Sequence, residues 1–231
     1  MLSTQAMKII SFSGIDGAGK STQIAALQSW LVEAGFRVRL LTFWDDVAVF
    51  TRFREFISRR AFQGDQGIGT PEKPLHRRDK NVTSWPVAAL RFCFYLGDAV
   101  NLSLVAGRIA NGSTDLIIFD RYIYDELANL PLRYRIARAF VRLVLKLVPR
   151  PGVAYLIDAD PASARARKPE YPPEFLRRNR DAYLSLHRFT GHMSVVEASS
   201  IGDAQAQIRQ ILIEKLAAPQ RKSVSSLPVL P

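Results

Sequence analysis

The sequence predicts an α/β domain, a five-stranded parallel sheet with helices on both faces, and three observations carry that reading. Five short apolar, β-branched runs at 8–13, 37–43, 115–119, 153–158 and 193–197 alternate with longer amphipathic segments at about 20–34, 84–111, 133–147, 172–189 and 203–217. The runs are nearly continuous in apolar residues, as strands covered on both faces require. A glycine-rich turn directly follows the first run and opens the first helical segment.

The chain has 231 residues, enough for one such domain and short for two. The elements occupy residues 8–217, with a short extension at 1–7 and a Pro/Ser-rich tail at 218–231 that reads as disordered. Hydrophobic residues make up 48% and charged residues 23%, the profile of a globular protein with a core. No run of eighteen apolar residues occurs, so a membrane span is not expected. The first residues lack the basic and apolar regions of a secretory leader, which suggests a cytoplasmic protein. Cys93 lies in the apolar run Arg91-Phe92-Cys93-Phe94-Tyr95 and is expected to be a buried, reduced thiol. Three histidines and one cysteine form no zinc pattern.

The net charge of +11 and pI near 10.1 suit nucleic acid, an anionic membrane or a polyphosphate substrate. The positive residues fall in short clusters at 52–60, 73–80, 133–150, 165–168 and 177–180. That scatter fits a phosphate-handling cleft with solvated helix faces better than a nucleic-acid-binding tail. In the segment 133–147, Leu132, Ile136, Ala139, Phe140, Leu143, Val144 and Leu147 form an apolar stripe opposite Arg135, Arg138, Arg142 and Lys146. The expected arrangement is a core-packed helix with a solvated basic face, and the alternative is a helix lying on an anionic membrane.

Gly14-Ile15-Asp16-Gly17-Ala18-Gly19-Lys20-Ser21 matches G-x-x-x-x-G-K-[ST], the P-loop pattern, between a strand and a helix as the motif requires. The predicted class is therefore the P-loop NTPase fold. Backbone N–H groups of the turn, Thr22 included in the first helical turn, would face the phosphates of ATP, aided by the helix N-terminus. Lys20 is expected to reach the β- and γ-phosphates and Ser21 to hold Mg²⁺. A second acid, Asp120, ends the apolar run Leu116-Ile117-Ile118-Phe119 and is a further candidate for Mg²⁺. Arg121 beside it is placed to bridge donor and acceptor phosphates.

GIDGAGKSTQ followed at a distance by FDRY resembles the thymidylate kinases of the nucleoside monophosphate kinase group. The likeness continues through Tyr155-Leu156-Ile157-Asp158-Ala159-Asp160-Pro161, a lid-like stretch at about 161–175, Phe175…Arg180-Asp181-Ala182-Tyr183, and Val195-Val196-Glu197-Ala198. The resemblance implies Mg-ATP as phosphoryl donor, a nucleoside monophosphate such as dTMP as acceptor, and a homodimer. It also implies that Asp16 contacts the acceptor's sugar. Gly17 stands where one branch of the family carries a catalytic arginine. The other branch uses lid arginines, which makes Arg167 the first candidate here and Arg165 the second.

The departures lie on the acceptor side. The family's R-E-P-G is replaced by Thr42-Phe43-Trp44-Asp45-Asp46-Val47, and its A-D-R by Gly97-Asp98-Ala99. Its S-x-x-A-Y-Q becomes Asp125-Glu126-Leu127-Ala128-Asn129-Leu130. Arg52, Arg54, Arg77, Arg78 and Arg91 are candidates to replace the lost acceptor arginine, and the charged stretch 72–81 is a candidate part of that site. Asp45 or Asp46 as a general base would suit a hydroxyl acceptor, such as a deoxynucleoside, instead. A third reading is an ATP-binding regulatory or nucleic-acid-associated protein without efficient transfer.

Overall fold

The computed structural model describes residues 9–49, 85–110, 112–197 and 200–217. The extension at 1–7, the tail at 218–231, the charged stretches 52–60 and 72–81, and Arg52, Arg54, Arg77 and Arg78 lie outside those residues. In chain order the elements are β1 (Ile9–Ser13), α1 (Lys20–Glu33), β2 (Val38–Thr42), α2 (Trp85–Ala110) and β3 (Leu116–Asp120). There follow α3 (Ile123–Leu127), α4 (Arg135–Leu147), β4 (Val153–Asp158), α5 (Pro161–Arg167), α6 (Pro173–Thr190), β5 (Ser194–Glu197) and α7 (Ile201–Ala217). A wide five-residue helical turn, Phe43–Val47, caps the end of β2, with the Ala48 N–H donating to the Phe43 carbonyl at 2.8 Å.

The strands are ordered β2-β3-β1-β4-β5, and every pairing is parallel. All five residues of β1 are buried, so helices cover both faces of the sheet as its apolar sequence predicts. β2 forms an edge and leaves Arg39 and Leu40 exposed. Its start is aligned by Asp115, whose carboxylate accepts the Arg37 backbone N–H at 2.9 Å and a guanidinium N–H at 2.9 Å. Phe12 of β1 meets Tyr155 of β4 at 4.9 Å between ring centres. The Tyr155 hydroxyl in turn donates to the Ile208 carbonyl at 2.7 Å and ties the sheet to α7. α5 starts on a cap: Asp160 accepts the Ser163 N–H at 2.9 Å and Pro161 takes the first helical position.

Two sequence expectations are corrected. Cys93 is exposed, because α2 turns Tyr95, Asp98, Ala99 and Leu102 into the core and Cys93 falls on another face. The helix α4 buries Ala137, Val141 and Val144; of the expected stripe Val144 is buried, Leu132 and Phe140 are half-buried against the core, and Ile136, Ala139, Leu143 and Leu147 face outward. Ile136 stays 72% exposed and Leu143 48% exposed beside Arg135, Arg142 and Lys146. The small residues allow close packing of α4, and the bulky ones are left facing outward. No run of eighteen apolar residues occurs, yet Arg91–Ile109, which carries Arg91, Asp98 and Arg108, is long and apolar enough to cross a membrane by length and composition alone, with mean hydropathy 1.2. That apolarity has two sources, a core face around Leu102 and an exposed stripe at Val100 and Leu104. The same helix buries Asp98, whose carboxylate accepts the Val49 N–H at 2.8 Å.

Candidate active site

The crevice forms at the C-terminal edge of the sheet, where β1 lies between β3 and β4. The loop 14–19 leaves β1 there and turns over the end of β4. A Cβ on Gly14 would approach the Ile157 carbonyl oxygen to 2.5 Å, so only glycine lets the loop pass this closely. The first backbone bond of α1 runs from the Gln23 N–H to the Gly19 carbonyl, 3.2 Å. The N–H groups of Lys20, Ser21 and Thr22 therefore stand outside the helical ladder, at its positive end.

Lys20 is buried, and its ammonium donates to the carbonyls of Gly14 at 2.9 Å and Ile15 at 2.8 Å. Two of its three N–H groups thus close the loop on itself and leave one for a ligand. Burial lowers its pKa to about 8, helped by the charge of Arg121 and opposed by Asp16, Asp125 and Asp120.

Arg121 follows β3 in a left-handed conformation, φ 69°, unusual for a residue with a side chain. Its N–H donates to the Phe12 carbonyl at 2.9 Å, which binds this turn to the neighbouring strand. One guanidinium nitrogen, Nη2, bonds Asp16 in the loop, and the other, Nη1, bonds Asp125 of α3 at 3.0 Å. Burial alone would disfavour its charge, but Asp125, Tyr183, Asp16 and Asp120 outweigh it, and the guanidinium stays charged. Asp125 also accepts from the Ser13 hydroxyl at 2.6 Å, the Tyr183 hydroxyl at 2.6 Å and the Tyr122 N–H at 3.1 Å. Burial, reinforced by Asp125, keeps Tyr183 a neutral phenol well above its ordinary pKa.

Helix α5, within the stretch expected to form a lid, rests directly on the loop. A Cβ on Gly17, at φ +81°, would meet the Ala164 carbonyl oxygen at 2.2 Å. An arginine at this position and a lid in this position are therefore sterically incompatible. Arg167 lies on the loop side of α5, its Nη1 at 4.0 Å from where a Gly19 Cβ would stand. Arg165, two residues earlier, points elsewhere: it lines a cleft of about 710 Å³ between α5 and α6, together with Asp160, Arg177 and Arg180. Its Nε is buried there without a hydrogen-bond partner.

The sequence candidates separate accordingly. Gly14–Thr22, Asp16, Arg121 and Arg167 converge on one crevice, with Ser21 exposed on α1 and Asp120 half-buried at the end of β3. Asp45 and Asp46 are exposed on the turn after β2, and Asp46 accepts the Thr42 N–H at 2.7 Å. That bond is a backbone cap and gives Asp46 no feature of a general base. Among the described residues no group of three or more His, Cys, Asp or Glu could hold a metal alone. Asp125, Ser13 and Tyr183 were not read as site residues. The four-residue spacing of Arg121 and Asp125 was the one signal for the first, and only the packing of α6 brings Tyr183 near.

The chain is similar over most of its length to proteins named probable thymidylate kinases. With that of Methanosphaera stadtmanae it shares 25% identity over 212 residues, covering 90% of this chain and 98% of the relative. With that of Thermococcus kodakarensis it shares 28% over 222 residues, covering 90% and 97%. The crystal structure of thymidylate kinase from Ehrlichia chaffeensis superposes with a TM-score of 0.55 at 19% identity, covering 90% of this chain and 99% of that one. None of the known protein-family models matches the chain.

Two outcomes are expected from this geometry. Gly17→Ala should lift α5 from the loop and speed amide exchange of 161–167 by about tenfold, with β1 and β4 still protected, as hydrogen-exchange mass spectrometry would read. The second concerns Lys20, which releases its proton near pH 8 in the folded protein and near its ordinary 10.5 when unfolded. Between those values the unfolded chain binds more protons, so this lysine makes the unliganded protein more stable as pH rises. Against Lys20→Met, wild type should gain up to about 3 kcal/mol from pH 8 to 10.5 in denaturant titrations.

Proposed function

We propose that this chain, thymidylate kinase-like in sequence and in fold, transfers the γ-phosphoryl group of Mg-ATP to a nucleoside monophosphate, with dTMP the expected acceptor. The observation that carries this reading is the convergence of Lys20, Arg121 and Arg167 around the loop 14–19, at the ends of adjacent strands. Phosphoryl transfer needs little covalent help from the protein, and three cations around one anion-binding loop supply what it does need. The backbone of 14–22 would cradle the β- and γ-phosphates, with Lys20 bridging them. Arg121 is placed between the loop and the acceptor side, where it would hold an acceptor phosphate near the donor. Arg167 would cover the transferring group from α5, and Asp16 would meet the acceptor's sugar.

Magnesium fits the donor set. The Ser21 hydroxyl and the Asp120 carboxylate are hard oxygens, and Mg²⁺ takes one or two of these beside waters and phosphate oxygens. Bound there, it would neutralise charge on the phosphates. The reading includes one kinase domain over 8–217 with its lid at about 161–175, and a cytoplasmic setting where nucleotides are available.

It also includes a homodimer, supported by apolar side chains that the described fold leaves outward. On α2, Val100 is 53% and Leu104 51% exposed, one helical turn apart, and Ile136 and Leu143 extend the surface on α4. Exposed apolar stripes of this kind are buried against another surface more often than left in water.

The test is ADP release over a panel of nucleoside monophosphates and unphosphorylated nucleosides. Turnover with dTMP above the others is expected, and Lys20→Ala should reduce it by about a hundredfold or more. Turnover confined to unphosphorylated acceptors would reject the proposal. For the assembly, sedimentation velocity should give a dimer for wild type and a monomer for Leu104→Asp; an unchanged dimer would place the interface elsewhere.

A further inference from the structure

Asp125 is the most completely bonded carboxylate in the described site. Its side chain is 2% exposed. Oδ1 accepts from the Tyr183 hydroxyl at 2.6 Å and Arg121 Nη1 at 3.0 Å. Oδ2 accepts from the Ser13 hydroxyl at 2.6 Å and the Tyr122 N–H at 3.1 Å. A carboxylate has about four acceptor positions, and all are in use. It can therefore serve neither as a base nor as a metal ligand without breaking a bond that is already made. Its donors come from the end of β1, the turn after β3, the start of α3 and the middle of α6, so the group is held from four directions.

Arg121 has a different partner on each arm. The Asp125 partner is buried and immobile, and the Asp16 partner lies in the loop with its side chain 24% exposed. An incoming phosphate oxygen can compete with the accessible carboxylate and not with the buried one. The left-handed backbone of Arg121 also needs a surrounding that determines it fully, since a side chain disfavours that conformation. A neutral serine in place of Asp125 could accept one bond from the guanidinium but could not match its charge.

We infer that Asp125 is a positioning residue for phosphoryl transfer: it anchors one arm of Arg121 so that the other can exchange Asp16 for a substrate phosphate. The inference rests on the kinase reading above and adds a residue to it. Asp125 itself touches neither substrate nor metal. The consequence is a site in which the phosphate-binding arginine is oriented before the substrate arrives, and little ordering remains to be done on binding.

The experiment is a double-mutant cycle in the full chain with ATP and the best acceptor of the panel. Asp125→Asn, which keeps the shape and removes the charge, should lower kcat about thirtyfold to a hundredfold while the KM for ATP stays within about threefold. In an Arg121→Lys background the same change should cost less than about threefold, because the arm it holds is gone. Tyr183→Phe, which leaves the Arg121 pair intact, should stay within about threefold of wild type. Equal losses in both backgrounds would show a purely structural role and overturn the inference, as would a fully active Asp125→Asn. Should Asp125→Asn fail to fold, Asp125→Ser takes its place in the same cycle with the same two outcomes. Nitrogen NMR of the Arg121 guanidinium separates this inference from the kinase reading. Distinct, slowly exchanging Nη signals in wild type and averaged ones in the variant support the anchor even if no acceptor turns over. Averaged signals in both proteins overturn it.

Discussion

The register of β1 beside β3, with Phe12 level with Asp120, determines where the phosphate-handling groups of this chain lie. The loop 14–19 starts two residues beyond Phe12, and Arg121 one residue beyond Asp120, so the two strands deliver them side by side. The bond from the Arg121 N–H to the Phe12 carbonyl closes this junction in the backbone itself. A slip of one residue would turn the buried residues of β1 to the opposite face and separate the loop from the arginine. The site is thus a by-product of how tightly two apolar strands agree on their pairing.

Charge in the crevice is then organised by pairing. Lys20 is held by two carbonyls and Arg121 by two carboxylates, so neither cation is buried without a partner. Each of these partners leaves donors free or exchangeable. The arrangement answers a common difficulty of phosphate sites, which must be strongly positive with ligand bound and still fold without it. Fixed dipoles and a buried carboxylate hold the cations in place, and on the proposed reading a phosphate would replace only the accessible contacts.

The lid shows how one small residue decides which of two arginine positions is possible. Gly17 has no side chain, and the Ala164 carbonyl occupies the space one would need. Contact between loop and lid helix brings Arg167 toward Gly19 and sends Arg165 to the far side of α5. Two arginines of the same type, separated by two positions, therefore face different surroundings because a helix rotates about 200° over that interval. On the opposite flank, Asp46 is committed to the backbone of Thr42 and Asp98 to that of Val49. These two acids hold the chain in shape.

Local signals were enough for the parts of this protein that depend on neighbouring residues. The five strands, the long helices and the loop between β1 and α1 were all legible, since apolar runs and glycine spacing act within a few positions. The wide turn at Phe43–Val47 and the short helix α3 were not, because they are too brief to show a period. Helical spacing found the apolar stripe of α4 but centred it too far from the core, so that Val144 alone of it is fully buried. Burial depends on which face the neighbouring helices approach, and Ala137, Val141 and Val144 offered the closer fit. The same limit applied to Cys93 and to Asp125. An apolar surrounding in sequence does not bury a thiol on the outer side of a helix. A carboxylate acquires its four donors only when β1, the turn after β3, α3 and α6 meet in space. What the residues determined alone was the glycine-rich loop and the alternation around it; which charges pair, and which apolar faces remain outward, was decided by tertiary packing, because those contacts join positions as distant as Ser13 and Asp125 or Gln23 and Ile201.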